Sequence, residues 1–342
     1  MRHSKKVIRV GVVGYGYWGP NIVRNLQSLP EARVVTMCDK NPRVLAGIRQ
    51  RFDAMDTCSD YRDVTASADV DAVAVVTPVS THFEIVRSAL MNGKHVFVEK
   101  PFTASVREAE ALIRLAEKKR LQIMVDHTFI FTGAVRKIKE LVDDRTLGDL
   151  YYYDSMRVNL GLFQHDINVI WDLIPHDLAI MDYVIKNKPV AVSAHGVDHL
   201  GRGRENIAYV TVYFNTNTIA HFNVNWLSPV KVRSTLIGGS KKMLVWNDLE
   251  ADESVKLYDR GVKVRDKEGV YRLLVDYRSG DMWAPKLDHT EALKMELEYF
   301  IRQIRTGRLG MNDAHAGLRV VKMLEATDRS LRQKGKWIPL RS

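Results

Sequence analysis

Cysteine and long apolar stretches are scarce in this chain of 342 residues. Its two cysteines, Cys38 and Cys58, are too few for a disulfide framework and suit a reducing compartment. No stretch approaches the roughly 20 apolar residues that cross a bilayer. The apolar run after the basic segment 1–6 is broken by glycines and lacks the cleavage site of a signal peptide. We therefore expect a cytoplasmic protein with no membrane partner.

Runs of one charge are also missing, although the chain is basic. Lysine and arginine number 51 and aspartate and glutamate 41, which leaves a net charge of +10. Because these charges are scattered and form no known nucleic-acid motif, we expect no nucleic-acid partner, whereas an anionic small molecule suits the balance. The composition, 46% hydrophobic and 27% charged, is that of a globular protein, and the length predicts two domains.

The most specific motif is rich in glycine and directly follows the apolar run 7–13. It consists of Gly14, Tyr15, Gly16, Tyr17, Trp18 and Gly19. In a dinucleotide site the first glycine makes a sharp turn, the second lets the backbone approach a pyrophosphate, and the third lets the next helix pack on the sheet. A helical pattern follows over 20–29, so the context predicts that these six residues bind a dinucleotide.

Asp39 ends the second apolar run, 34–38, at the spacing expected for a ribose contact. A carboxylate there can accept hydrogen bonds from both ribose hydroxyls, and its charge repels a 2′-phosphate. The adjacent Lys40 offsets that repulsion. We therefore expect NAD as the cofactor, with NADP as the alternative, and both residues as cofactor contacts.

Two sheets of different kinds are predicted. Residues 1–127 alternate apolar runs with helical patterns, which is typical of a doubly wound parallel sheet. Its strands are predicted over 7–13, 34–38, 72–76, 95–98 and 121–125. Residues 128–342 carry successive β-rich segments without crossover helices, which predicts a large, mostly antiparallel open sheet. Those segments are 151–158, 190–195, 208–214, 219–225, 231–237 and 243–246.

We thus expect an α/β chain with an N-terminal Rossmann domain, residues 1–127, and a C-terminal α+β substrate domain, residues 128–342. The helical patterns of the second part cover 134–142, 173–185, 291–305 and 314–332. The last two can pack back on the first domain. A large sheet covered on one face must cover the other, so we expect a homo-dimer or homo-tetramer formed through the sheet.

Chemistry-bearing residues follow the strand predicted over 95–98. Glu99 and Lys100 stand at its carboxyl end, the sheet edge where ligands bind in a doubly wound domain. A lysine there can exchange a proton with a substrate hydroxyl. We also expect both Glu99 and Lys100 to contact the cofactor. The alternative is an ordinary surface ion pair after a strand, and Pro101 can fix the local backbone.

The preceding strand, 72–76, ends in a second group of candidates. Thr77 and Pro78 close it and are predicted cofactor contacts. His82 begins the next helical pattern and is explained equally by contact with ribose or nicotinamide and by a structural role near the helix cap.

Asp172 and His176 are spaced i, i+4, which puts both on one face of a helix. Because proline is tolerated in a first turn, Pro175 predicts that the helix begins near Leu173 with Asp172 as its cap and His176 at its mouth. His176 can then serve as acid or base. The alternatives are a structural histidine and a zinc-type pair, but no third ligand stands at a recognisable spacing, so no metal is expected.

Two residues at the end of the segment 151–158 complete the candidates from residue patterns. Arg157 and Asn159 are predicted to reach the substrate.

Together, these motifs in this order resemble the glucose-fructose oxidoreductase, inositol dehydrogenase and MocA (Gfo/Idh/MocA) family over essentially the whole chain. The resemblance implies a Rossmann domain, an open-sheet α/β domain, NAD or NADP, and hydride transfer at a sugar or cyclitol carbinol carbon. It implies that Lys100 and His176 are the catalytic pair, with their division of labour open. Asp172 is then the acid that orients the substrate.

The stretches 16–21 and 168–177 resemble the subgroup that oxidises C3 of nucleotide-linked sugars such as UDP-N-acetylglucosaminuronate, in polysaccharide or antibiotic sugar biosynthesis. By that resemblance Asn168 is a further substrate contact. The alternatives are a free-sugar or inositol dehydrogenase, a 3-ketoreductase of a deoxysugar pathway and, more distantly, a regulator that senses the cofactor without catalysis.

Overall fold

The computed structural model describes residues 7–52, 55–161, 167–264, 275–308 and 310–340. The chain forms two compact units. The first comprises Met1–Phe131 and Thr290–Lys322, and the second Thr132–His289 and Met323–Ser342.

The secondary structure elements are numbered in chain order. The strands are β1 Ile8–Val13, β2 Ala32–Cys38, β3 Asp56–Cys58, β4 Ala72–Val75, β5 His95–Val98, β6 Ile123–Val125, β7 Leu150–Leu160, β8 Pro189–Val197, β9 Ile207–Phe214, β10 Ile219–Asn225, β11 Leu227–Gly239, β12 Met243–Asn247, β13 Val255–Val264, β14 Val275–Trp283 and β15 Ile338–Pro339. The α-helices are α1 Gly19–Gln27, α2 Pro42–Arg51, α3 Tyr61–Ala66, α4 His82–Met91, α5 Val106–Lys119, α6 Gly133–Asp143, α7 Val169–Val184, α8 Ala292–Thr306 and α9 Ala314–Arg332.

The first unit is built on a parallel sheet of six strands in the order β3-β2-β1-β4-β5-β6. All four residues of β4 are buried, as expected for a strand in a sheet that is covered on both faces. The strand order reverses between β1 and β4, and ligands bind in such sheets at the carboxyl ends beside that point. The predicted doubly wound sheet is confirmed. Sequence analysis missed β3, because its three residues carry no apolar run.

The second unit carries a sheet of nine strands in the order β14-β13-β12-β11-β7-β10-β9-β8-β15. Every neighbouring pair is antiparallel except β7 and β10, which confirms the mostly antiparallel sheet. Helix α7 packs on β7, β9 and β10. Strands β13, β14 and β15 were not predicted from the sequence.

Helix α7 corrects one expectation. It begins at Val169, with Asn168 as its cap, and contains Pro175 in its interior. The predicted start near Leu173 with Asp172 as the cap is therefore wrong. Proline removes one backbone hydrogen bond from the helix, but α7 is buried along most of its length, and that burial keeps it helical through the proline.

The C-terminal part of the chain contributes to both units. Helix α8 packs on α1 and on residues 128–131 within the first unit, where Arg24 pairs with Glu291 just before α8. Helix α9 has its residues up to Lys322 in the first unit and the remainder in the second. Among the described residues, no helix has the length and apolar character needed to span a membrane.

Ser330 ties the end of the chain to the second sheet. It is fully buried, accepts a hydrogen bond from the Ala194 backbone N–H at 2.8 Å and donates one to the Lys336 carbonyl at 2.7 Å. We predict that Ser330→Ala lowers the free energy of unfolding by about 2 kcal/mol, because it strands two buried backbone groups. Urea denaturation measures the change, with the exposed Ser279→Ala as control. Equal stability of the two variants would contradict this role of Ser330.

Candidate cofactor and substrate residues

The glycine turn after β1 is tightly constrained on its inner side. Gly14 has φ +97°, and a Cβ there would lie 2.3 Å from the Val76 carbonyl oxygen. A Cβ on Gly19 would lie 2.8 Å from the Gly14 carbonyl oxygen. Gly16 differs, because no atom lies within 4 Å of its would-be Cβ. The turn therefore needs glycine at two positions for folding, and at the third it leaves room for a bound group to approach the backbone.

Helix α1 starts directly behind this turn. No side chain caps its N-terminus, and Pro20 occupies its first turn, where the missing N–H costs nothing. Tyr17 and Trp18 flank the turn, are exposed and pack edge to face with 5.8 Å between ring centroids. An uncapped helix N-terminus beside an open glycine is suited to an anion such as a pyrophosphate.

Asp39 is held rigidly at the end of β2. Its Oδ2 accepts a hydrogen bond from the Tyr15 backbone N–H and its Oδ1 from the Asn41 N–H, each at 2.8 Å. The carboxylate is thereby fixed next to the glycine turn, with lone pairs left for further donors.

A cavity of about 540 Å³ lies at this edge of the first unit. It brings together six of the predicted cofactor contacts, namely Gly14, Gly16, Asp39, Lys40, Thr77 and Pro78. It is also lined by Ser59, Tyr61 and Glu84, which sequence analysis missed. Ser59 and Tyr61 come directly after the short strand β3, and finding that strand would have been the signal for them. The size, the open glycine and the fixed carboxylate fit a dinucleotide.

His82 lies beneath this edge and is fully buried. Its Nδ1 lies 2.9 Å from the Pro101 carbonyl oxygen and its Nε2 2.8 Å from that of Thr77. Burial is the largest effect and lowers the pKa of the imidazole, while the two carbonyls raise it. A neutral ring carries one N–H and can donate to only one of these carbonyls. Both nitrogens face backbone carbonyls inside the core, which favours the structural role over contact with a cofactor.

Glu99 and Lys100 directly follow β5, which pairs in parallel with β4. They therefore lie along the same sheet edge as Thr77 and Pro78, which follow β4. The Glu99 backbone N–H donates to the Val75 carbonyl at 2.9 Å, and the Lys100–Pro101 peptide bond is cis. The Glu99 side chain is buried, whereas Lys100 is half-buried. Glu99 therefore lies in the core of the first unit, and Lys100 is the one that can meet a ligand.

In the second unit, Asp172 and His176 share one face of α7, one turn apart, and both are half-buried. Asp172 Oδ2 accepts a hydrogen bond from the Trp226 indole N–H at 3.1 Å, which anchors the carboxylate to the strand junction after β10. His176 does not stand at the helix mouth as expected. It lies two turns inside α7, because the helix begins earlier than Pro175 suggested.

The three other predicted substrate residues lie in different settings. Arg157 is buried and forms two hydrogen bonds with Asp177, at 2.6 and 3.0 Å. Burial opposes the charge of Arg157, but Asp177 outweighs it and raises the pKa of the guanidinium. Asn168 caps α7 by accepting the Trp171 N–H at 3.1 Å, and its amide donates to Glu205 at 3.0 Å. Asn159 is half-buried near the end of β7.

Within the described ranges, no three histidine, cysteine, aspartate or glutamate side chains form a group that could hold a metal ion. Cys58 Sγ lies 3.4 Å from the Asp60 carbonyl oxygen, and burial raises the pKa of both thiols.

Two family models match the chain. Residues 8–127 match the model described as "Oxidoreductase family, NAD-binding Rossmann fold" of the GFO/IDH/MocA group. Residues 135–245 match the model of the GFO/IDH/MocA C-terminal domain.

Individual proteins are similar over nearly the full length. A UDP-N-acetylglucosamine 3-dehydrogenase of Acidithiobacillus ferrooxidans is 28% identical over 92% of this chain and 94% of its own. Its solved structure superposes with a TM-score of 0.80 over 96% of this chain and 98% of that one. An inositol 2-dehydrogenase of Rhizobium meliloti is 21% identical over 96% and 98%. GenD2 from gentamicin A biosynthesis, solved in complex with NAD, has the same fold, with a TM-score of 0.83 at 20% identity over 99% and 98%.

Gly14 is crowded by the Val76 carbonyl and Gly16 is open, so alanine variants at the two positions should behave differently. Gly16→Ala should leave the melting temperature unchanged but weaken NADH binding about tenfold or more, because its methyl group fills the open approach to the backbone. Gly14→Ala should destabilise the fold itself, because its Cβ meets a backbone carbonyl. Fluorescence titration with NADH and thermal denaturation measure both. Unchanged NADH affinity in Gly16→Ala would contradict the assignment of the turn.

Proposed function

The chain belongs to the GFO/IDH/MocA oxidoreductase family, and on that basis we propose that it transfers a hydride between nicotinamide and the carbinol carbon of a sugar. We propose further that this carbon is C3 of a nucleotide-linked sugar. The observation that carries the proposal is the shared sheet edge of the first unit. There the dinucleotide-sized cavity and the lysine after β5 lie at the ends of adjacent parallel strands.

The residues divide into binding and chemistry. Gly14, Gly16 and the N-terminus of α1 would hold the pyrophosphate, and Asp39 the ribose hydroxyls. The bound nicotinamide supplies the hydride acceptor. Lys100 or His176 accepts the proton of the substrate hydroxyl as the carbonyl forms, and the other one polarises or relays.

Asp172 orients the sugar in this proposal. Its carboxylate is fixed by the Trp226 indole and stands one turn before His176 on α7. An anchored carboxylate can accept hydroxyl hydrogen bonds of a sugar without first paying for its own ordering. Arg157, Asn159 and Asn168 remain predicted substrate contacts. Arg157 and Asn168 both form hydrogen bonds with residues of α7, which favours a structural role in holding that helix.

The cofactor is proposed to be NAD. Asp39 is fixed next to the turn, and its negative charge opposes the 2′-phosphate of NADP. Lys40 lines the same cavity and reduces the discrimination. NADP is therefore the weaker cofactor in this proposal.

The nucleotide-linked sugar is favoured by the similarity to the UDP-N-acetylglucosamine 3-dehydrogenase, which spans both domains. The net charge of +10 suits a diphosphate. The inositol dehydrogenase, also similar over its full length, supports the alternative of a free cyclitol or sugar. We propose that the protein works in the cytoplasm, since its two free cysteines suit a reducing compartment. Its scattered charges give no reason to propose a membrane or nucleic-acid partner.

A substrate panel with Lys100 variants tests the reaction. We expect the absorbance of the reduced nicotinamide to rise with UDP-linked N-acetylhexosamines or uronates. The rise should be larger with NAD than with NADP, and free inositol should give none. Lys100→Met should bind NADH nearly as tightly but lose about 10²–10⁴-fold in kcat, because a positioned proton-transfer group is gone. Lys119→Met, on the surface helix α5, is the control. Full turnover in Lys100→Met would overturn the assignment, and turnover of inositol alone would favour the alternative substrate.

We propose that the second unit forms a homo-dimer or homo-tetramer through the outer face of its sheet. That face exposes Met156, Leu236, Ile219 and Tyr209, although the strands around them are largely buried on the other face. Covering such side chains with a second copy removes apolar area from water.

Light scattering after gel filtration tests this assembly. We expect the wild-type protein to elute as a dimer or tetramer and Met156→Asp to dissociate, because a charge would be buried in the interface. Met91→Asp places the same charge on an exposed methionine of the first unit and should not change the mass. A monomeric wild-type protein, or equal masses in all three, would contradict the proposal.

A further inference from the structure

The two cysteines of the chain lie opposite each other in the parallel sheet of the first unit. Cys38 is the last residue of β2 and Cys58 the last residue of β3. The two strands pair in parallel, and in that pairing Cys38 and Cys58 are in register. Residues in register on adjacent strands project from the same face of a sheet. The fold therefore places both thiols of the chain side by side.

The spacing of the two strands permits a bond between the sulfurs. Paired strands lie about 4.8 Å apart, and the Cα atoms of bonded cysteines are usually about 4.4–6.8 Å apart. The Cβ atoms of bonded cysteines are closer, at about 3.8 Å, so bond formation has to draw the strands together by about 1 Å. Strand β3 can give way, because it has three residues and lies at the edge of the sheet.

Both cysteines adjoin the wall of the cavity of the first unit. Cys38 is buried and lines the cavity, while Cys58 is half-buried and is followed by Ser59, which lines it too. The Asp39 backbone N–H donates to the Cys58 carbonyl at 3.2 Å, and the Gly14 N–H donates to the Cys38 carbonyl at 2.8 Å. A movement of β3 toward β2 would therefore displace residues that line the cavity.

The surroundings keep both thiols protonated at neutral pH. Burial is the largest effect and raises the pKa of each thiol, and the nearby carboxylates of Asp39, Asp60 and Asp63 act in the same direction. The Cys58 thiol donates to the Asp60 carbonyl, with 3.4 Å between sulfur and oxygen. Because the thiolate is the reactive form, the pair should react slowly at neutral pH and faster at alkaline pH.

We propose that Cys38 and Cys58 form a modification site, at which a low-molecular-weight disulfide such as oxidised glutathione produces a reversible bond between them, and that this bond weakens cofactor binding in the cavity. The inference rests on the proposed function only for the place of the cofactor. The bond itself does not depend on the reaction of the enzyme.

The bond forms in two exchange steps. The half-buried Cys58, as thiolate, attacks one sulfur of the oxidant, forms a mixed disulfide and releases the first glutathione thiolate. The Cys38 thiolate then attacks the Cys58 sulfur and releases the second one. The two protein thiols lose two electrons, which reduce the oxidant, and their two protons pass to the released thiolates. Excess thiol reverses both steps, so the pair stays reduced in a reducing compartment.

The first test detects the bond by mass spectrometry. The full chain is incubated with oxidised glutathione at mildly alkaline pH, remaining thiols are alkylated, and the protein is digested without reduction. We expect the peptides that contain Cys38 and Cys58 to be joined, with the loss of two hydrogens, and to separate after reduction. Two alkylated cysteines, or a glutathione retained on Cys58, would overturn the proposal.

The second test measures the effect of the bond on the cofactor. Fluorescence titration should show that the oxidised protein binds NADH about tenfold more weakly or worse, and that reduction restores the affinity. Cys58→Ser is the matched control. It removes the more exposed thiol, so treatment with the oxidant should leave its NADH affinity where it was before treatment. Unchanged affinity in the cross-linked protein, or the same loss in treated Cys58→Ser, would overturn the proposal.

The third test uses the reciprocity of the two effects. The wild-type protein is equilibrated with mixtures of reduced and oxidised glutathione, with and without saturating NADH. NADH should raise the proportion of oxidised glutathione needed for half-oxidation, by the factor by which the bond weakens NADH binding. Absence of that shift would overturn the coupling. If the reduced protein oxidised no sugar, the proposed function would fail, while these measurements would still decide the role of the cysteines.

Discussion

The parallel pairing of β1 with β4 and of β4 with β5 is the constraint on which the rest of the first unit depends. It brings three carboxyl ends to one edge of the sheet. The glycine turn after β1, Thr77 after β4 and Lys100 after β5 therefore all lie along that edge. The turn after β1 can be accommodated only without a Cβ, because the Val76 carbonyl lies where that atom would be. The same turn is therefore crowded by backbone at Gly14 and open to a bound group at Gly16.

Buried charge is handled in a similar way in both units, through local compensation. In the second unit Arg157 and Asp177 neutralise each other through two hydrogen bonds. In the first, Glu296 is fully buried, and its Oε1 accepts hydrogen bonds from the His127 backbone and the Asn312 amide. A missing partner in either arrangement would leave a charge in a medium that solvates it poorly. The buried ionisable groups therefore also constrain how the core is built.

Much of the candidate site was predictable because it is local in sequence. The glycines, Asp39 and the residues after β4 and β5 follow apolar runs at regular positions, and the cavity brings six of them together. Helix α7 was harder, because Pro175 has a strong local meaning that tertiary burial overrides. Strand β3 was missed because a three-residue edge strand has almost no pattern, and with it the cavity residues Ser59 and Tyr61.

The sequence by itself determined the dinucleotide turn, the two kinds of sheet and the order of the lysine, aspartate and histidine along the chain, since each depends on short-range spacing. Only the tertiary structure decided which polar side chains are buried and hydrogen-bonded within the protein. His82 lies between two backbone carbonyls, and Arg157 binds Asp177. Glu296 accepts the backbone N–H of His127, 169 residues earlier in the chain. The physical reason is that burial and pairing depend on contacts between distant segments, and these set the charge that a side chain carries.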